Sequence, residues 1–232
     1  MKAEIIVTDA PWTFSDKLKM SDVKRSPESQ YKSVLDNNAI LNLKIKEIAA
    51  DNAVIALWVP STLIEFGLEC MKAYGFEFKQ TWIWVKSKKE PLGKLKKQIK
   101  KSLKKKSSLV IKDQIDELSK LIDDFDLNDC LSFYMGRIFR QTHEVCLIGV
   151  RGKVHKDLKN KSQVSVFIGP NPKHSEKPEA LQDRLEKMYP SYTNRLELFA
   201  RRDRPGFVCF GNECPSSLNL DIRDCIEKYK ND

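Results

Sequence analysis

The chain has 232 residues, 41% hydrophobic and 31% charged, with 41 Lys and Arg against 32 Asp and Glu and a net charge of +9. That length and apolar fraction predict one domain over residues 1–232 around one sizeable core. The apolar runs are all shorter than a membrane span, and no apolar signal core follows Met1, so a cytoplasmic protein with no membrane partner is expected. A basic balance favours a polyanionic partner.

The six cysteines form no C-x-x-C pair, and the three histidines do not stand at zinc-ligand spacing from any cysteine pair. Reduced, mostly buried thiols and no metal site are the expectation.

Taken in chain order, Ile5-Ile6-Val7 reads as a short buried strand ending in Thr8-Asp9-Ala10-Pro11-Trp12, and residues 13–30 read as a polar loop. Residues 39–50 have helical spacing through Ile40, Leu43, Ile45 and Ile48. A continuous apolar run from Ala53 to Val59 is a strand stopped by Pro60, and residues 61–74 are a helix closed by Gly75. Strands are predicted at Phe78 to Val85, Glu144 to Val150, Val164 to Ile168, Leu196 to Ala200 and Gly206 to Phe210, with a helix over 177–189 carrying the stripe Leu181, Leu185, Met188.

The segment 91–132 differs in composition. Eight lysines fall between Lys94 and Lys106 around Leu95, Ile99 and Leu103. Then Ile111, Ile115, Leu118, Ile122 and Phe125 recur at helical spacing among acidic residues. One basic and one acidic amphipathic helix, turning at Ser107-Ser108, predict an inserted helical hairpin. It could add phosphate affinity, serve as a dimer arm, or simply be a solvated face. The remainder alternates strands that are apolar on both faces with helices, the pattern of an α/β fold with a mostly parallel sheet flanked by helices. Ligands on such sheets bind at the carboxyl ends of strands.

Asp9-Ala10-Pro11-Trp12 stands at such an end. Methylating an exocyclic amine requires a held nitrogen whose lone pair is aimed at the methyl donor. An acidic side chain and a backbone carbonyl, of Ala10 or Pro11, can each accept one N–H, and an adjacent ring can stack on the base. The tetrapeptide alone is better read as an ordinary strand-end turn, since Asp and Pro are common in turns.

The order of motifs decides between these readings. The chain resembles the MT-A70 family of adenine N(6)-methyltransferases, whose hallmark is D-P-P-W. The resemblance runs through Asp9-Ala10-Pro11-Trp12, Gln30-Tyr31-Lys32-Ser33, Ala56-Leu57-Trp58-Val59, Trp84-Val85-Lys86, Met135-Gly136-Arg137 and Arg140-Gln141-Thr142-His143-Glu144. It ends in His174-Ser175-Glu176-Lys177-Pro178, Arg195 to Arg201 and Gly211-Asn212-Glu213. It implies a Rossmann-like methyltransferase fold in permuted, β-class order, with the catalytic tetrapeptide first and the elements that hold S-adenosylmethionine late. By this resemblance Asp9, Ala10, Pro11 and Trp12 are catalytic, with Asp9 also facing the cofactor. Lys177 meets the methionine carboxylate, Glu197, Phe199 and Arg201 line the nucleoside side, and Asn212 and Glu213 hydrogen-bond it. Tyr31, Lys86, Arg137, Arg140 and His143 are the expected substrate contacts.

Two departures stand out. Ala10 replaces the first Pro of the hallmark, and only eight residues precede Asp9. Longer members hold the cofactor's adenine with upstream sequence, a task left here to the tail after Glu213 or to a partner chain. The expected function is methylation of the adenine 6-amino group in nucleic acid, DNA before RNA, with a homodimer or a partner subunit as the expected assembly. The competing class is a catalytically silent nucleic-acid-binding subunit, against which the retained Asp9, Trp12 and Lys177 argue.

Overall fold

The computed structural model describes residues 1–14, 35–105, 111–136, 138–171, 176–218 and 220–232. Tyr31, Arg137 and the predicted Ser107-Ser108 turn lie outside these residues, as does most of the 13–30 loop. Seven strands, β1 (Ala3–Thr8), β2 (Ala49–Val59), β3 (Glu77–Ser87), β4 (His143–Arg151), β5 (Val166–Pro170), β6 (Arg195–Leu198) and β7 (Val208–Phe210), form a sheet of order β5-β3-β4-β2-β1-β6-β7. Seven α-helices are described: α1 (Asn37–Leu41), α2 (Ile45–Ile48), α3 (Ile64–Ala73), α4 (Gly93–Lys105), α5 (Ile111–Asp123), α6 (Ala180–Met188) and α7 (Ile222–Asn231). The chain divides into two compact units, one of residues 1–83, 144–166 and 179–232 and the other of 84–143 and 167–178.

In the first unit β1 pairs in parallel with both β2 and β6, and β6 in parallel with β7, while β2 meets β4 antiparallel. Ile5, Ile6, Val7 and Thr8 are all buried, as are Ala53 through Val59. Both strands therefore bury both faces, and their runs are continuously apolar rather than alternating. The α/β, Rossmann-like expectation holds, with β4 as an antiparallel member of the mixed sheet.

The helix expected over 39–50 is a correction. Helix α1 ends at Leu41, α2 is one turn long, and residues 49 and 50 already belong to β2. Ala49 pairs with Ala3 of β1, so sheet formation overrides the apolar helical spacing. The helix predicted over 177–189 starts at Ala180, with Pro178 just before it. The C-terminal helix α7 is a feature that the motif reading did not predict. Asp221 caps it by accepting from Arg223 N–H, and Ile222, Cys225, Ile226 and Tyr229 are buried from it.

All six cysteines are free thiols, and burial pushes Cys70 up to about 11 and Cys209 up to about 12. No helix among the described residues is long and apolar enough to cross a membrane.

In the second unit α4 and α5 pack against each other, and Lys94 of α4 pairs with Asp129 at 2.6 Å. Leu95, Ile99, Leu118 and Leu121 are half-buried, whereas Ile111, Ile115 and Ile122 remain 74%, 56% and 58% exposed. One face of α5 therefore stays apolar and open to solvent.

The loop between β6 and β7 is anchored by Arg204. Its guanidinium reaches Glu179, Asp183 and Glu186 at 2.7–2.9 Å with the side chain 10% exposed. The three carboxylates are partly solvated, which limits the gain. Arg204→Met is expected to lower stability by roughly 1–2 kcal/mol at neutral pH, by leaving these carboxylates clustered without their cation. Denaturant unfolding should show that difference shrinking as the carboxylates are protonated in acid.

Candidate active site

Strands β1, β6 and β7 run in the same direction and nearly in register, with Thr8 opposite Leu198 and Leu198 opposite Phe210. The residues that follow them, Asp9, Phe199 and Gly211, therefore leave the sheet on one edge, its carboxyl end. Asp9 N–H donates to the Leu198 carbonyl at 3.4 Å, and Ala200 N–H donates to the Phe210 carbonyl at 2.9 Å. Gly211 lies so close to Ala200 that a Cβ there would stand 2.0 Å from the Ala200 carbonyl oxygen. Only glycine permits that approach.

Phe199 has φ of 62°, the sole left-handed non-glycine residue described. An aromatic residue held there costs on the order of 1 kcal/mol or more, and such costs concentrate at ligand sites. The kink turns Phe199 to the rim of the edge and sends Ala200 and Arg201 across it.

Pro11, Phe199, Arg201, Asn212 and Glu213, five of the residues predicted from sequence, line a single cleft together with Leu35, Ala200, Gly211, Asp221 and Ile222. Arg201 and Glu213 form an ion pair at 3.6 Å across it. Glu197 pairs instead with Gln182 of α6, whose amide donates to Oε2 at 3.2 Å. Burial raises the Glu197 carboxyl pKa, opposed by the Gln182 bond and the charges of Arg202 and Arg204 and reinforced by the negative charge of Asp9. Asp9 and Glu197 thus act on each other electrostatically behind the cleft.

The donor set suits an amphipathic nucleoside. Leu35, Phe199 and Ile222 supply apolar surface for a heterocycle, and the Asn212 amide with the Glu213 and Asp221 carboxylates supplies acceptors and donors for hydroxyls and ring nitrogens. The Asp221 carboxyl is held below its usual range, first by its hydrogen bond with Arg223.

Trp12 departs from its predicted role. It is 5% exposed, its indole N–H donates to the Trp58 carbonyl at 2.9 Å, and its ring meets Phe66 edge-on. The ring thus anchors the tetrapeptide to the core and is not presented for stacking on a base. The Ala10 carbonyl accepts from Trp12 N–H at 2.9 Å, closing a tight turn about Pro11. Asn37 fixes the next residue by bonding both Thr13 N–H and the Thr13 carbonyl at 3.0 and 2.9 Å.

Lys86 is a second departure. It is 8% exposed, and its ammonium lies 4.9 Å from the Trp84 ring and 4.4 Å from the Tyr134 ring. That sandwich withdraws it from phosphate contact and makes it a support of the second unit. Arg140 is exposed beside Phe133, while His143 and Lys177 are half-buried, all in the second unit.

Leu35, Asn37, Gln182, Asp221 and Ile222 were not singled out from sequence. A signal existed for Asp221, an N-cap aspartate before the spacing Ile222, Cys225, Ile226, Tyr229.

A sequence profile of the MT-A70 family matches residues 3–127 and 122–213. The Type II methyltransferase M.MunI of Mycoplasma sp is 22% identical over 230 residues, 93% of this chain and 79% of that protein. The N(6)-adenosine-methyltransferase catalytic subunit METTL3 of Homo sapiens is 21% identical over 231 residues, 99% of this chain but 31% of its own length. The non-catalytic subunit METTL14 of Xenopus tropicalis is 25% identical over 182 residues, 74% of this chain and 32% of its own. The chain therefore spans about a third of the length of the latter two relatives.

The raised Glu197 pKa makes its ionisation a cost to the fold. The folded state holds that proton more tightly than the unfolded state, so stability falls as pH rises from the ordinary carboxyl value through the raised one. Glu197→Gln should therefore unfold at higher denaturant than the parent at neutral pH. The two should converge in acid, below the ordinary carboxyl range.

Proposed function

The chain belongs to the MT-A70 family, and from that premise we propose that it transfers a methyl group from S-adenosylmethionine to the 6-amino group of adenine in nucleic acid. The observation that supports this reading is the meeting of Asp9, Phe199, Arg201, Asn212 and Glu213 at one sheet edge, around a cleft suited to a nucleoside. Bound S-adenosylmethionine supplies an electrophilic methyl group on a sulfonium. The Asn212, Glu213 and Asp221 side chains hold the nucleoside part, and Phe199 and Ile222 cover its ring. Lys177 takes the methionine carboxylate, a role that rests on the family resemblance. Asp221 and Ile222, at the start of α7, add a carboxylate and an apolar side chain to the same cleft.

On the substrate side, the Asp9 carboxylate accepts one N–H of the target amine. A backbone carbonyl of the same turn, that of Ala10 or Pro11, takes the second. Both N–H groups held in this way leave the nitrogen lone pair directed at the methyl group, and the proton departs after attack. Trp12 and Asn37 keep the loop in place from either end. Positioning and electrostatics carry the rate, without a strong base. The first Pro of the hallmark is dispensable because Ala10 contributes backbone rather than ring.

DNA is the favoured polymer and RNA the alternative, with methylation confined to a specific site. The lysines of α4 add salt-dependent phosphate affinity. A partner chain belongs to the proposal: the relatives include a catalytic and a non-catalytic subunit, and α5 leaves Ile111, Ile115 and Ile122 exposed.

Asp9→Ala is expected to lower transfer of labelled methyl groups to oligonucleotides by at least a thousandfold while far-ultraviolet dichroism and nucleic-acid binding stay near the parent's, a loss on the order of 4 kcal/mol in transition-state stabilisation. Turnover at the parent's rate would contradict the role given to Asp9. Neutralising the eight lysines between Lys94 and Lys106 should weaken nucleic-acid binding and flatten its salt slope.

A further inference from the structure

The second unit carries an apolar tip that the cofactor cleft does not account for. Ile138 and Phe139 are 90% and 85% exposed, and Phe133, Tyr134 and Met135 beside them are 61%, 41% and 63% exposed. Single exposed apolar side chains are ordinary, but five within residues 133–139 are not. The tip is also held in place. Tyr134 and Gln141 exchange both backbone bonds at 2.9 and 3.1 Å. Gly136 lies against the Phe139 carbonyl so closely that a Cβ would stand 1.9 Å from the oxygen. Beneath it, Lys86 is clamped between Trp84 and Tyr134. The surrounding charge has one sign: residues 131–143 contain Arg137 and Arg140 and no Asp or Glu, and the Arg140 guanidinium sits 5.9 Å from the Phe133 ring.

We propose that this tip is a wedge for polynucleotides, with Phe139 stacking on a base and Ile138 filling the adjacent step, while Arg140 meets the phosphate chain. The inference rests on the nucleic-acid reading given above. Exposed apolar side chains beside the Arg140 guanidinium match a polyanion whose interior is stacked aromatic rings. Opening a base step costs stacking energy, and insertion of Phe139 returns it, which helps an enzyme that must take its target base out of the stack.

Phe139 contributes little to the core, so Phe139→Ala leaves the fold intact. Titrations of labelled DNA duplex and matched RNA at several salt concentrations test the wedge. Phe139→Ala should weaken binding to the favoured polymer roughly tenfold at every salt concentration, with the salt slope unchanged, because stacking releases no counterions. Phe139→Trp should restore affinity, and S-adenosylhomocysteine binding should match the parent's in both variants. Unchanged affinity in Phe139→Ala would overturn the wedge alone. So would a flattened salt slope, or a change in sedimentation in place of a change in affinity. A parent chain that binds S-adenosylhomocysteine but neither DNA nor RNA would overturn the nucleic-acid reading instead.

Discussion

The candidate active site depends on how closely two backbones approach at the end of the sheet. Gly211 abuts Ala200 at a distance no side chain allows, and that contact sets Asn212 and Glu213 opposite Phe199 and Arg201. The parallel register of β1, β6 and β7 supplies the other half of the constraint, since it ends three strands at one level. Asp9 reaches that level only because β1 lies between β2 and β6 and is buried on both sides. Loosening any of these pairings would separate Asp9 from the residues that line the cleft.

Rigidity and strain are distributed around this edge in a consistent way. Phe199 is kept in an unfavourable backbone region, and Glu197 is kept in surroundings that penalise its charge. Both costs are offset by ordinary packing behind the site, where Trp12 bonds the Trp58 carbonyl and Arg204 ties the β6–β7 loop to α6. The functional residues are thus borne by loops and the stability by the elements beneath them.

Much of this was legible in the sequence. Continuous apolar runs marked β1 and β2, and the order of Asp9-Ala10-Pro11-Trp12, Arg195 to Arg201 and Gly211-Asn212-Glu213 marked the chemistry and its permuted arrangement. What escaped was tertiary. Ile45 and Ile48 have helical spacing, yet the pairing of Ala49 with Ala3 takes the following residues into a strand. Trp12 in the hallmark tetrapeptide suggests stacking, and only the fold shows its ring in the core. Lys86 carries a charge that the family resemblance assigns to the substrate and that the structure places between two rings. The role of Asp221 is invisible until α7 brings it to the cleft, although its capping position was readable.

The central claim is that the cleft at the ends of β1, β6 and β7 holds the methyl donor next to Asp9. A crystal structure of the chain with S-adenosylhomocysteine tests it most directly. The account predicts the nucleoside between Phe199 and Asn212, its hydroxyls on Glu213 or Asp221 and its sulfur towards Asp9. A ligand bound elsewhere, or a cleft that stays filled by its own side chains at saturating ligand, would contradict it.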